Sequence, residues 1–593
     1  MDKYFFAVIP GTIFIFTIIL AFLIGKRKYK SKRILTPTNV LAVGIFLTCV
    51  AIFIPVYKDV YIKDIVWLRW FKTACISIHH AIRLFVVDSD FEIIQNIVSG
   101  NKNSIAIFYT VLSALVYVLA PVMTFGFILS FFKNISAYKK YVGCFFRNVY
   151  IFSELNSKSI ELANSINNSN SKSKFVFTDV FEKNEETTYE LIERARELGA
   201  ICFKKDILSL KLGFHWNGKK MTFFSIGEDE NENIKQALSI IKQYGDTKNT
   251  ELFVLATGKD SELVLSKADY GEHMKVRRIN PIRSLTYDLL YNMGREIFDK
   301  AASNDSGEKE ISAIVLGMGE HGFEMVKALT WFCQMDEYFV RINGFDMDKN
   351  AESLFVAKCP ELMQDEYNDK HVYDDAKYYI KIHSNMYVGT TEFCDKIKEM
   401  KHISYIYVSL GDDKKNIETA INIRAIMKKM GMNPIIQAVV YDSDKNDALQ
   451  NAKCMGESDK ETCKINFVGD LKTIYSEKII LRSKLEKLAL ERHLNHSAES
   501  EFWKYEYNYR SSMASAIHIE TRRACGMPGA DKPVKERSEE EMNKLRVIEH
   551  NRWNAYMRTE GYSFGDKNHV SKTHNLLVPF HQLPPEEKLK DDV

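Results

Sequence analysis

The sequence predicts an α-helical transmembrane region followed by two α/β doubly wound, Rossmann-like domains and a small, mainly helical C-terminal domain. Three observations carry that expectation. Long uncharged apolar runs are confined to the first quarter of the chain. Short apolar strands then alternate with amphipathic helices, twice over and in the same order. Finally, a glycine-spaced turn, "GMGEHG" (317–322), opens the second series.

The first apolar run, Phe5 to Ile24, carries no charge over about the length that a bilayer core requires. Two more follow, giving expected spans near 5–25, 39–57 and 104–132 in a transmembrane region of 1–135. A signal peptide is not expected at the start. The apolar core is too long, the N-terminus is not basic, and "KRKYKSKR" (Lys26 to Arg33) stands where a small-residue cleavage site would be. That basic block belongs on the cytoplasmic side, which places the N-terminus outside. Three crossings return the chain to the cytoplasm near Lys133, Lys139, Lys140 and Arg147. The expected location is therefore the inner cell membrane, with a large cytoplasmic C-terminal portion. Between the second and third spans, residues 64–88 place Arg69, Lys72, His79, His80 and Arg83 among aromatics and aliphatics. This pattern suits an amphipathic interfacial helix, with a re-entrant or pore-lining segment as the alternative.

Charge is nearly balanced, 80 Lys and Arg against 77 Asp and Glu, so direct DNA binding is not expected. The ten cysteines form no CxxC or Cys-His cluster, which argues against a disulfide framework and predicts no metal site.

The first strand–helix series occupies 145–301 and the second 309–475, with a polar hinge expected around "ASNDSGEKE" (302–310). Parallel sheets follow from strands separated by helical stretches. The two series also share wording. Ser225-Ile226-Gly227-Glu228-Asp229, before a helix containing Asn233, matches Ser409-Leu410-Gly411-Asp412-Asp413, before a helix containing Asn416. That match points to an internal duplication.

In the second copy, Gly317, Gly319 and Gly322 form GxGxxG directly after a strand and before a helix, the context that separates a dinucleotide fingerprint from chance. Gly317 permits the tight turn, Gly319 lets the backbone approach a pyrophosphate, and Gly322 allows close packing of helix on strand. The helix N-terminus offers amide donors to a phosphate. Asp346, or as second choice Asp348, falls where a carboxylate accepts from ribose hydroxyls. Glu320 sits in the turn, where its charge would repel a phosphate unless it points away. The first copy reads "FSELNSKS" at the matching place, without glycine; it is either structural or binds another ligand through Ser153, Asn156 and Ser157. No catalytic residues are expected: His383 is isolated, and no Ser-Tyr-Lys or Cys-His arrangement accompanies the turn.

Tandem Rossmann-like halves behind membrane helices resemble the regulator-of-potassium-conductance (RCK, TrkA-N-like) domains of ion channels and transport regulators, over roughly Asn148 to Asp470. The resemblance implies a site that binds nucleotides or ions without chemistry, at Gly317, Gly319, Gly322, Asp346 and Gly411, Asp412 and Asp413. No segment resembles the "TVGYG" filter of potassium channels, so a self-contained potassium channel is not expected. The C-terminal stretch "RVIEHNRWNAYMRTEGYSFG" (Arg546 to Gly565) and the residues after it resemble the RyR repeat of ryanodine receptors. This implies a RyR-like domain over 541–593, with His550, Arg552, Trp553 and Tyr562 as groove candidates. A helical linker, 476–540, would join it to the Rossmann pair, with a flexible joint at Gly526 to Pro533.

The combination also resembles membrane effectors of nucleotide-signalled antiviral systems of the CRISPR or CBASS type. The resemblances imply an unidentified nucleotide ligand (NAD, ATP or a nucleotide second messenger), a homo-oligomer, and a transporter or defence-system partner. The function expected is nucleotide sensing coupled to the membrane. Regulation of a separate cation transporter is the alternative, and a dehydrogenase is the least favoured reading.

Overall fold

The computed structural model describes residues 2–26, 37–86, 88, 92, 104–144, 147–170, 172–180, 185–210, 212, 220–258, 261, 264–265, 273–304, 307–363, 377–451, 464–481, 483–495 and 497–592. The chain divides into two compact units, Met1–Lys140 and Tyr141–Val593.

The first unit is helical: α1 (Asp2–Lys26), α2 (Pro37–Tyr57), α3 (Val66–Phe85) and most of α4 (Ser104–Val142). Among the described residues two stretches are long and apolar enough to cross a membrane, Val40–Tyr57 and Ser104–Thr124. The apolar stretch described in α1, Val8–Leu23, is shorter. Much of the basic block after α1 lies outside the described residues.

Helix α3 runs antiparallel to α2. Phe85 meets Phe46 at 6.0 Å between ring centroids, while His80 meets Phe53 at 5.4 Å and Tyr57 at 4.9 Å. Thr73, Ser77, Ala81 and Leu84, spaced about one turn apart, form its buried stripe, and small residues let helices approach closely.

In the second unit both strand series form sheets. The first holds β1 (Val149–Phe152), β2 (Lys174–Phe177), β3 (Ile201–Cys202), β4 (Met221–Ser225), β5 (Thr250–Leu255) and β6 (Lys275–Ile279). Its order is β3-β2-β1-β4-β5-β6, with every pairing parallel. Helices α5 (Ser157–Ser169), α6 (Glu185–Glu197), α7 (Glu230–Tyr244) and α8 (Pro281–Met293) accompany it. Strands covered on both faces read as continuous apolar runs, and all five residues of β4 are buried. Phe152 stacks on Phe177 (5.0 Å) and Phe224 (4.7 Å), and Phe224 on Phe253 (5.1 Å). An aromatic ladder thus crosses four adjacent strands.

The second sheet repeats the order: β10-β9-β8-β11-β12-β13, again parallel. It comprises β8 (Lys309–Leu316), β9 (Tyr338–Phe345), β10 (Tyr378–His383), β11 (Tyr405–Val408), β12 (Ile435–Val439) and β13 (Ile465–Val468). Its helices are α9 (Glu320–Phe332), α10 (Ala351–Lys358), α11 (Thr391–Lys398), α12 (Asp413–Lys429) and α13 (Ser443–Asn451). The expected hinge is a hairpin instead. β7 (Ala302–Ser303) pairs antiparallel with β8, and Asn304 donates its amide to the Glu308 carbonyl. Asn and Gly in a short polar stretch serve a tight turn as readily as a linker.

The C-terminal part comprises α14 (Ser483–Leu494), α15 (Glu499–Lys504), α16 (Glu506–Ala524) and α17 (Glu539–Thr559), then the two-stranded pair β14 (Ser563–Phe564) and β15 (Thr573–His574). Helix α16, within the expected helical linker, is largely buried. Arg510, Met513, Ala514, Ser515, Ala516, Ile517, His518 and Arg522 are all buried. The expected joint at Gly526–Pro533 is fastened down: Arg523 and Arg537 donate to the carbonyls of Ala530 and Gly529, and Lys532 pairs with Glu541.

Candidate functional site

The glycine turn sits at the C-terminal edge of the second sheet, where the order reverses between β8 and β11. That switch point is the usual ligand crevice of open parallel sheets. The three glycines are needed for three different reasons. Gly317 has φ +89°, and a Cβ there would stand 2.3 Å from the Ser409 carbonyl oxygen. At Gly322 a Cβ would meet the Gly317 carbonyl oxygen at 1.9 Å, whereas at Gly319 it would meet nothing within 4 Å. Two glycines therefore build the turn, and the third keeps its outer side bare. Gly319 is also the N-cap of α9, and no side chain caps the helix. The first amides of α9 have no intrahelical acceptor and keep their donor capacity for an anion.

Asp346 reaches the turn, as the spacing predicts, but it is partly occupied. One oxygen accepts from the Met318 amide at 2.6 Å and the other from the Asp348 amide at 2.8 Å. It pins the turn and retains further lone pairs for a ligand. Asp348 is exposed and accepts from the Asn350 amide. Glu320, at the first helical position, is exposed.

The Gly411-Asp412-Asp413 segment lies beside Gly317, and both of its acids have structural partners. Asp412 caps α12 through the Lys415 amide, and Asp413 accepts from the amides of Tyr441 and Asp442. Asn416 accepts from the Leu410 amide and donates to the Val439 carbonyl. The first copy makes the same latch. Asn233 accepts from the Gly227 amide and donates to the Leu255 carbonyl, while Glu230 accepts from the amides of Thr257 and Gly258. By these bonds Gly227 corresponds to Leu410 and Glu230 to Asp413, one residue off the match in wording.

At the first copy's own turn the helix end is filled. Asn156 caps α5 by accepting from the Ser159 amide, Ser159 caps back in a capping box, and the Asn156 amide group donates to the Ile226 carbonyl at 2.7 Å. Ser153 is buried, and Ser157 is the first residue of α5. The arrangement is that of the structural alternative.

Several residues that matter here had no reading from sequence. Gly344, inside β9, makes room for the turn: a Cβ would stand 2.6 Å from the Met318 sulfur. Its signal was a lone glycine in a strand, which marks close approach. His321 is buried, with Nδ1 3.3 Å from the Tyr407 hydroxyl and its ring edge-on to Tyr441, and burial lowers its pKa to about 4. Glu324 and Lys327 follow Glu320 at helical spacing, a pattern that reads as a solvated face. Instead they enter a buried ion-pair chain. Arg283 of α8 pairs with Glu324 (2.7 Å), Lys327 lies 3.7 Å from Glu560, just past α17, and Arg510 of α16 lies 3.2 Å from Glu560. Burial alone would raise the Glu560 carboxyl, but Arg510, Lys327 and Arg283 outweigh it and hold the group well below its ordinary value. Helix α9 also packs on α17, with Trp331 and Tyr556 rings 6.4 Å apart. The helix that begins at the open turn thus contacts α8 and α17, and Glu560 links its Lys327 to Arg510 of α16.

His383 accepts from the Asp346 amide at its carbonyl, while its ring stacks on Phe345 at 4.5 Å and lies 3.2 Å from the Asn343 side-chain oxygen. Among the described residues no group of three or more His, Cys, Asp or Glu could hold a metal.

Of the C-terminal groove candidates, His550 is buried against the Val578 carbonyl (2.8 Å), and the Tyr562 hydroxyl meets His569 at 3.0 Å. Arg552 is buried beside Glu549 (2.9 Å), and Trp553 is half-buried, edge-on to His574. A cleft of about 1840 Å³ is lined by all four together with Glu320, Phe323, Glu324 and Lys327 of α9.

No protein-family model matches the chain and no curated protein matches it, so the RyR resemblance rests on the residues alone. Two solved structures are similar at low levels. One, a crystal structure of GsuK bound to ADP, shows 12% identity over 75% of this chain and 98% of that chain, with a TM-score of 0.31. The other, the GsuK channel, shows 11% identity over 76% and 84%, with a TM-score of 0.32. Scores this low carry no argument, and the fold assignment rests on strand order and pairing. By those, the chain is a protein of two Rossmann-like halves accompanied by apolar N-terminal helices.

Proposed function

We propose that this chain is a nucleotide-sensing regulator of ion passage across a membrane, in the manner of RCK and TrkA-like proteins. The second Rossmann-like half binds the ligand at Gly317–Gly322, and the first half serves as a structural partner. The observation that carries the reading is the uncapped N-terminus of α9, bare over Gly319 and pinned by Asp346. The ligand is a nucleotide whose phosphate takes the α9 amides; no turnover is expected, and no metal. Binding acts through α9, whose ion pairs reach α8, α16 and Glu560. Ligand must favour one of two arrangements for this to regulate anything. The membrane helices of one chain are too few to enclose a pore, so the working form is a homo-oligomer or a complex with a transporter, with the soluble part cytoplasmic. The antiviral setting has no observation in the fold behind it.

Reconstitution into liposomes with ADP as probe tests this. Wild type should show ADP-dependent potassium flux, alone or with a co-purifying transporter, and Gly319→Val should insert normally but ignore ADP. A Gly319→Val protein that responds as wild type does would overturn the reading. Oxidation or reduction of a nicotinamide cofactor by the purified protein would overturn the non-enzymatic part.

A further inference from the structure

The cleft between α9 and the C-terminal part holds an arrangement that the glycine turn does not explain. Glu549, 1% exposed, is surrounded by three arginines. Arg552 lies at 2.9 Å, Arg522 at 3.3 Å and Arg492 at 3.9 Å from its oxygens. Ser515 donates to the same carboxylate at 2.8 Å. Arg492 has further partners, since it donates to the Lys590 carbonyl and faces the carboxylates of Asp591 and Asp592. Arg522 and Arg552 are left to share Glu549, and a buried cation in excess of its partners is costly. Arg552 is 2% exposed and bonds Glu549 only through Nε and Nη2. Its Nη1 is buried without a hydrogen-bond partner, and the residue lines the cleft. Burial lowers the pKa of Arg522 to about 10, in keeping with cationic excess.

The same wall is aromatic. Half-buried Trp553 stands next to Arg552, and Tyr507 lies 5.7 Å from Tyr562 and 6.0 Å from His569. All line the cleft. Guanidinium groups recognise phosphate in a bidentate fork, and aromatic faces take flat rings.

We propose that this cleft holds a second ligand site, distinct from the α9 amides at the glycine turn, which binds a nucleoside phosphate with its phosphate on Arg552 and its base against Trp553. The turn reading is not required for it. Two sites joined by α9, whose Glu320, Phe323, Glu324 and Lys327 line the cleft, would let one chain respond to two nucleotides, or to two parts of one.

Full-length protein in lipid nanodiscs, titrated calorimetrically with ADP, ribose 5-phosphate and adenosine, provides the test. The Gly319→Val protein should still bind ADP, and more tightly than either fragment. In that background Arg552→Gln should weaken ADP binding about tenfold or more. Because Arg552→Gln also strips a partner from Glu549, Trp553→Ala is measured beside it and should weaken ADP binding as well, with each variant's melting temperature checked. Absence of ADP binding in Gly319→Val, with one ADP bound by wild type, overturns this site and leaves the turn standing. Undiminished binding in both cleft variants also overturns it. Equal stoichiometry in wild type and Gly319→Val, abolished by Arg552→Gln, supports the cleft and sinks the turn.

Discussion

The two halves of the soluble unit share strand order and the asparagine latch, yet they finish their first helix in opposite ways. Asn156 fills the N-terminus of α5 with its own side chain and donates across to Ile226. Gly319 leaves the N-terminus of α9 bare. A glycine N-cap is only a few tenths of a kcal/mol worse than asparagine. Openness at the second turn therefore costs little stability, and one residue type separates a structural turn from one able to receive a phosphate.

The comparison breaks most visibly at the glycines that build the second turn. Gly322→Val puts side-chain atoms into the Gly317 carbonyl, a backbone group that cannot step aside, and the expected loss is about 4 kcal/mol or more. The melting temperature should fall by many degrees, whereas Gly319→Val should melt near wild type. Comparable melting of the two variants would show that the turn is not built as described.

His321 gives the second-largest effect. Its folded pKa, about 4, lies below an unfolded value near 6.5, so the unfolded chain takes up a proton first as pH falls. Stability should be unaffected above about pH 6.5 and drop by about 3 kcal/mol between there and pH 4. His321→Phe should flatten that part of the profile of melting temperature against pH. The first copy has no such group at its turn, where Asn156 and Ser159 do not titrate.

Asn156→Ala removes the cap and the bond to Ile226, with an expected cost of about 1–2 kcal/mol by denaturant titration and unchanged nucleotide binding. Gly319→Asn sharpens the contrast with the smallest change in stability, a few tenths of a kcal/mol. It transplants the first copy's self-cap onto α9, where φ of −66° and open space accept it. Binding at the turn should be lost although the fold is kept.

Sequence made the parallel strands of both sheets legible, though not the short β7, because strands buried on both faces leave unbroken apolar runs between helical patterns. GxGxxG was legible because Gly317 and Gly322 answer steric demands. The shared wording around Asn233 and Asn416 was also visible, but its reason, a side chain that stitches neighbouring strand ends, needed the hydrogen bonds, which move the alignment by one residue. Other features were hidden by pattern. Glu324 and Lys327 have the spacing of a solvated face, and the packing of α8 and α17 on α9 buries them. The burial of Arg510 and Arg522 on α16 was not legible, because a paired buried arginine and a solvated one read alike. Gly and Asn at 302–310, and Gly and Pro at 526–533, signalled bends, and composition alone does not distinguish a hinge from a fastened turn.

The central claim is that the second turn, and not the first, receives a nucleotide. Native mass spectrometry of the full-length protein with ADP tests it most directly. Gly319→Asn should carry one nucleotide fewer per chain than wild type, while Asn156→Ala should carry the same number. Unchanged stoichiometry in Gly319→Asn, or loss in a folded Asn156→Ala, would contradict the account.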